Sequence, residues 1–171
     1  MKGEELKKAL KEERACGLAL RNRDFSELDL EEAVMNGSDF SGCMFEESSL
    51  RMSELCGSIL RGANLTAANL EYAVLHGTDF TGAIMVDANL YGAELMGATL
   101  RGADLRHADL TDADLSGADL RGADLRDAEL TNANLSGADL RGANLPRAEM
   151  KGANMIGADM RGAQGAIGTN A

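Results

Sequence analysis

Every fifth residue from Phe25 to Met160 is Leu, Phe or Met, with no slip in register. The residue two places before each of them is mostly small: Ala, Ser, Thr or Cys. The residue just before is mostly Asp, Asn or Glu. A representative stretch is Ala118-Asp119-Leu120-Arg121-Gly122, followed by Ala123-Asp124-Leu125-Arg126-Asp127. Small and large apolar positions thus alternate about a polar one, the period-two signature of a short strand with one buried face. The two remaining residues must turn the chain. Each unit is one short side of a coil plus one corner, and a repeat sustained this long is the mark of a solenoid.

Glycine sets the number of sides. The second residue after the apolar centre is Gly at Gly37, Gly57, Gly77, Gly97, Gly117, Gly137 and Gly157, and again at every twentieth residue from Gly42 to Gly162. The two other columns read Glu27, Glu47, Ala67, Asp87, His107, Asp127, Arg147 and Glu32, Met52, Tyr72, Gly92, Asp112, Asn132, Gly152. A turn with positive φ favours Gly at one defined place, whereas other turn types do not. The recurrence every twenty residues therefore predicts four units per coil, with two glycine corners and two of another kind. The centres point inward together with small residues such as Ala63, Ala103, Ala123 and Cys43. The expected fold is all-β, a four-sided β-helix solenoid of about seven coils, each hydrogen-bonded to the next.

This pattern resembles the pentapeptide-repeat family, whose consensus is Ala-(Asp/Asn)-Leu-X-X, over residues 23–164. The resemblance implies a right-handed, quadrilateral β-helix; the handedness comes from the family and not from the spacing. Some members, the quinolone-resistance group, are similar in acidity. They imitate duplex DNA and bind type II topoisomerases such as DNA gyrase. Two departures separate this chain from them. Residues 163–171 offer no C-terminal dimerisation helix, and no loop interrupts the register.

The ends differ from the repeat. Gly17 falls in a glycine column, Leu18 and Leu20 in inward positions, and Asn22 in a corner position that Asn tolerates. The solenoid is therefore placed at residues 17–164. Residues 1–16 carry good helix formers, with Leu6, Ala9 and Leu10 on one side, and are expected to form a short amphipathic capping α-helix. Residues 165–171 are small and aperiodic and are expected to be a disordered tail. The last coil, centred on Met150, Met155 and Met160, then has no cap. Open solenoid ends invite pairing, so a homodimer through this C-terminal coil is expected.

Charge changes the functional picture. The net charge is −11 and is unevenly placed. The side that begins its corners with Arg21, Arg61, Arg101, Arg121, Arg141 and Arg161 also carries Asp39, Asp79, Asp119, Asp139 and Asp159. It reads as a solvated row of ion pairs, with docking of an acidic partner as the alternative. Two adjoining sides collect the acid. One carries Asp29, Glu31, Glu32, Glu71, Asp109, Asp112, Glu129 and Glu149; the other carries Asp24, Glu27, Glu46, Glu47, Asp87, Asp104, Asp124 and Asp127. Acid in this quantity argues against direct nucleic-acid binding, which needs the opposite sign. It serves solubility, and it would also steer a basic protein partner.

Chemistry has little to stand on. Asp87, His107 and Asp127 share one column and read as an exposed histidine among acids rather than a cation site. No nucleophile, phosphate or metal motif is present, so no enzyme activity, cofactor or metal is expected. Cys16, Cys43 and Cys56 are too scattered for a disulfide framework, and Cys43 takes an inward position. With no apolar run of membrane-spanning length and no secretory signal, a cytoplasmic location is expected. The sequence thus predicts a rigid, non-enzymatic interaction module with an acidic surface for an unidentified protein partner; the alternative is a DNA mimic that protects or inhibits a topoisomerase.

Overall fold

The structure, a computed structural model, describes residues 16–165. The expected helical cap and C-terminal tail lie outside the described residues, apart from Cys16 and Gly165. Parallel bridges join Ala19 to Asp39, Asp24 to Met44, Asp29 to Ser49 and Val34 to Glu54, and continue at the same separation to Asn144 and Gln164. One coil therefore uses twenty residues, four units, in the register the glycine columns set. We name four faces by their centres. The first runs from Leu20 to Met160, the second from Phe25 to Leu145, the third from Leu30 to Met150 and the fourth from Met35 to Met155.

Backbone hydrogen bonds run along the solenoid axis and repeat in every unit. On the third face the Leu30 N–H donates to the Ser49 carbonyl (2.7 Å) and the Glu32 N–H to the Arg51 carbonyl (2.9 Å). On the fourth, the Glu54 N–H donates back to the Ala33 carbonyl (2.9 Å). The corner is closed by a bond within the unit, from the Ala33 N–H to the Leu30 carbonyl (3.1 Å). The acid or amide before each centre has its own local task. Asp24 Oδ1 accepts from the Ser26 N–H (2.9 Å), and Asn69 Oδ1 from the Glu71 N–H (3.0 Å). This is an Asx turn. It accounts for Asp and Asn at that place in the repeat, because it satisfies the N–H of the first corner residue.

The interior holds only what the sequence put at the inward positions. Every centre from Phe25 to Leu145 is buried, as are Cys43, Ala63, Ala103, Ala123 and their equivalents. Phe25 and Phe45, one coil apart, stack at 5.0 Å, and Phe40 meets both edge-on. Hydroxyls at small positions turn back to the main chain: Ser53 Oγ donates to the Leu50 carbonyl (2.7 Å) and Thr78 Oγ1 to the Leu55 carbonyl (2.7 Å). Among the described residues no buried side-chain polar atom lacks a partner. Leu18 departs from expectation. It occupies an inward register but is 36% exposed, because it lies in the first described coil, whereas Leu20 is 5% exposed.

The expected division into two kinds of corner does not hold. The second corner residue has positive φ in all four columns, whether it is Gly122 (+65°) or Ala67 (+54°), Tyr72 (+55°), Asp87 (+56°) or His107 (+59°). Positive φ at the third turn residue alone is the mark of a type II turn. The inter-coil ladder imposes one corner everywhere, and the non-glycine residues adopt it against their preference. A left-handed conformation costs an L-residue about 1–2 kcal/mol. The glycine columns thus mark where that strain is absent, not where the turn differs.

Two outcomes follow from this geometry. Ala67→Gly removes only a methyl from a left-handed corner, and should raise stability by up to about 1 kcal/mol in denaturant unfolding. Val is a severe outlier at positive φ, so Gly122→Val and Asp127→Val should both lower the melting temperature. Independently, Ala123→Leu should cost about 1–3 kcal/mol by overpacking the filled interior.

Candidate interaction surface

The surface is ordered because outward side chains recur every coil at fixed places. On the first face the acids and arginines pair as expected. Arg21 Nε lies 2.5 Å from Asp39 Oδ2, Arg61 Nε 2.6 Å from Asp79 Oδ2 and Arg101 Nε 2.5 Å from Asp119 Oδ2. Arg121, Arg141 and Arg161 chelate the acid two residues earlier.

The second face is less acidic than its list of acids suggested. Arg106 Nε and Nη2 each stand 2.7 Å from Asp104 carboxylate oxygens. Arg126 holds Asp124 in the same way, with Nη2 at 2.6 Å from Oδ2. Arg147 grips Asp127 from the next coil at 2.5 and 2.6 Å. Sequence reasoning counted these acids without the arginines beside them. The signal was present: Asp104 and Arg106 flank an inward centre, so period-two alternation turns both outward. Hydrogen bonds from the Arg106 side chain hold the Asp104 carboxyl below the usual carboxylate range, against a smaller opposing effect of burial. Arg126 does the same to Asp124, and Arg147 to Asp127.

The N-terminal half of the second and third faces differs. Glu27, Glu32 and Glu47 stand exposed on left-handed corners, and none has an ion-pair partner among the described residues. Asp24, Asp29 and Glu46 lie on the same two faces; Glu46 accepts a hydrogen bond from Asn64 Nδ2. Arg23 and Arg51 are the basic residues of this half. Arg51 is already held between Glu31 (2.5 Å) and Glu71 (3.3 Å). Further along, Asp109 caps the Thr111 N–H, Asp112 accepts from Asn132, and Glu129 and Glu149 are exposed. Of the predicted acids toward the C-terminal end, arginine neutralises Asp104, Asp124 and Asp127 on the second face, whereas Asp87, Asp109, Asp112, Glu129 and Glu149 have no ion-pair partner among the described residues.

The remaining sequence candidates gain no chemistry. Asp87, His107 and Asp127 share a corner column, but Asp127 is committed to Arg147, and no metal-binding group of side chains is found among the described residues. Cys43 is buried, with its thiol donating to the Leu20 carbonyl. Met150, Met155 and Met160 are half-buried, unlike every centre before them. Their N–H groups have no backbone acceptor among the described residues. No helix of the described residues is long and apolar enough to cross a membrane.

Repeat, register and corner together define the class, and comparison with known proteins agrees. The chain belongs to the pentapeptide-repeat family: the family model, described as pentapeptide repeats (8 copies), matches residues 24–62, 58–95, 88–127 and 128–164. The fold is accordingly a right-handed β-helix. Among solved structures the chain is similar to QnrB1, a plasmid-mediated fluoroquinolone resistance protein, at 16% identity and a TM-score of 0.57, covering 85% of this chain and 92% of that one. It is also similar to HetL, a pentapeptide repeat protein involved in heterocyst differentiation regulation from the cyanobacterium Nostoc sp. strain PCC 7120, at 27% identity and a TM-score of 0.42, covering 90% of each chain. A third is Rfr23 from the cyanobacterium Cyanothece 51142, at 21% identity and a TM-score of 0.41, covering 91% of this chain and 93% of that one. No curated protein matches the chain significantly by sequence.

The lowered carboxyls set an acid limit. Asp104, Asp124 and Asp139 titrate below their unfolded values because their arginines favour the charged form. Their stabilisation is complete above the unfolded value, at about pH 4, and is lost as pH falls through the lower folded values. The melting temperature should therefore drop below about pH 4. Asp124→Asn should melt lower than the parent at neutral pH and show a smaller further loss in acid.

Proposed function

We propose that this chain is a rigid, non-enzymatic scaffold that offers an acidic surface to a basic protein partner. The observation that carries this reading is the placement of Glu27, Glu32 and Glu47. Each stands exposed on a left-handed corner with no cation at hand among the described residues. A charged rod steers an opposite partner over distances of about a Debye length, roughly 8 Å at physiological salt. Unpaired cysteines fit work in a reducing cytoplasm.

The test is capture from the source cell. The parent should retain a basic protein at low salt and release it at high salt. The triple variant Glu27→Gln, Glu32→Gln, Glu47→Gln should retain much less at low salt. Equal capture by the two would end this reading.

A second reading is favoured by the fold shared with QnrB1. Under it, the acidic faces imitate duplex DNA for a type II topoisomerase such as DNA gyrase. The arginines on Asp104, Asp124 and Asp127 interrupt the run of charge and weigh against it. Gyrase supercoiling with and without a fluoroquinolone decides: inhibition or protection supports mimicry, and an unchanged reaction removes it. A homodimer through Met150, Met155 and Met160 is compatible with either reading. It should show as a concentration-dependent mass in light scattering that Met155→Glu abolishes.

A further inference from the structure

The only two tyrosines of the chain lie on adjacent coils at the corner between the third and fourth faces, and there is no tryptophan. All four phenylalanines are buried, so Tyr72 and Tyr91 are the chain's whole aromatic surface. Their rings meet edge-to-face, with centroids 5.5 Å apart and planes at 85°. Tyr72 is 45% exposed, and Met52, in the same column one coil earlier, is 44% exposed. Both are bulky residues in the left-handed conformation, at +55° and +56°. Bulky side chains are outliers there.

Gly92 continues that column, where most of its fellows carry side chains. A Cβ on Gly92 would stand 2.5 Å from Tyr72 Cε1 and 2.7 Å from Cδ1. The absence of that atom lets the Tyr72 ring lie along the rod over the next coil, against Tyr91. Asp112, one coil further, raises the pKa of the Tyr91 phenol to about 12, through hydrogen-bonding and charge. Tyr91 is therefore neutral at every physiological pH. The two rings rest against each other, with that of Tyr72 seated over Gly92 on the next coil.

The surroundings specify what fits. Glu31 and Glu71 flank the platform and already hold one guanidinium, that of Arg51. Glu32 precedes Met52 in the same column, and Asp112 follows beyond Gly92. We propose that Met52, Tyr72 and Tyr91 form a preorganised docking site for an arginine side chain of a basic protein segment. The guanidinium stacks on the Tyr72 ring within reach of the flanking carboxylates. Charge complementarity selects a basic occupant, and the planar ring face selects Arg over Lys. Exposed aromatic anchors of this kind are the usual hot spots of protein interfaces. The inference rests on the acidic-scaffold reading and adds a place and a residue preference to it.

The test uses the full chain and three synthetic octapeptides, (Arg-Gly)4, (Lys-Gly)4 and (citrulline-Gly)4. Tyrosine emission reports on this site alone, because both tyrosines are in it. The Arg peptide should change the emission and bind about fivefold or more tighter than the Lys peptide. The citrulline peptide should not bind. By calorimetry, Tyr72→Gly, which relieves the corner, should fold and bring Arg binding down to the Lys level, while Tyr72→Phe keeps it. Gly92→Ala, which displaces the ring, should weaken it as well. Equal binding of Arg and Lys peptides that is untouched by Tyr72→Gly, yet lost with Glu27→Gln, Glu32→Gln and Glu47→Gln, overturns the platform and leaves the acidic scaffold standing. No binding of either cationic peptide overturns the platform, while capture from the cell separately decides the scaffold. Emission that changes with protein concentration alone assigns the platform to a second copy and also overturns the proposal.

Discussion

One corner, repeated after every inward centre, is the constraint on which the rest depends. The chain has five residues in which to lay down one side and turn it. The turn must leave the next centre's N–H facing a carbonyl one coil on, as Leu30 faces Ser49. A left-handed residue at the second corner position achieves this, closed by a bond such as that from the Ala33 N–H to the Leu30 carbonyl. Four such corners bring the backbone back above itself, and bridges twenty residues apart follow. The interior is then only wide enough for Leu, Phe or Met beside Ala, Ser or Thr. Composition, burial and hydrogen bonding are consequences of that closure.

The same constraint divides the surface. At the two glycine corners the chain turns without strain and shows little side chain. At the corners on either side of the third face it bears Glu27, Glu32, Glu47, Met52 and Tyr72 in a conformation they disfavour. Asp87 and Asp112 continue the same two corners as exposed acids further along. On the second face toward the other end, Arg106, Arg126 and Arg147 compensate Asp104, Asp124 and Asp127. The rod is uniform in backbone, and its second face is polarised in charge.

Much of this was legible in the sequence, for a physical reason. A period of five fixes inward and outward for every residue, and the twenty-residue glycine columns fix which residues neighbour each other in adjacent coils. Core positions such as Cys43 and Ala123 followed directly. Two things did not. Glycine columns suggest a distinct turn type, whereas the ladder forces the same φ on Ala67 and His107; propensity reports cost, not conformation. Grouping the acids by face leaves out the arginine two places along or one coil on, which neutralises Asp104 and Asp127. The Tyr72 and Tyr91 pair was hidden in a similar way. Nineteen residues separate them in sequence and one coil in space.

The corner side chains around the third face are kept against the stability of the fold. This is tested most directly by the melting temperature of a variant with Gly at Glu27, Glu32, Glu47, Met52 and Tyr72 together. This variant should melt well above the parent, since each change frees a left-handed corner and three remove repelling charge. A variant that melts at or below the parent would contradict it, because those side chains would then be supporting the coil rather than burdening it.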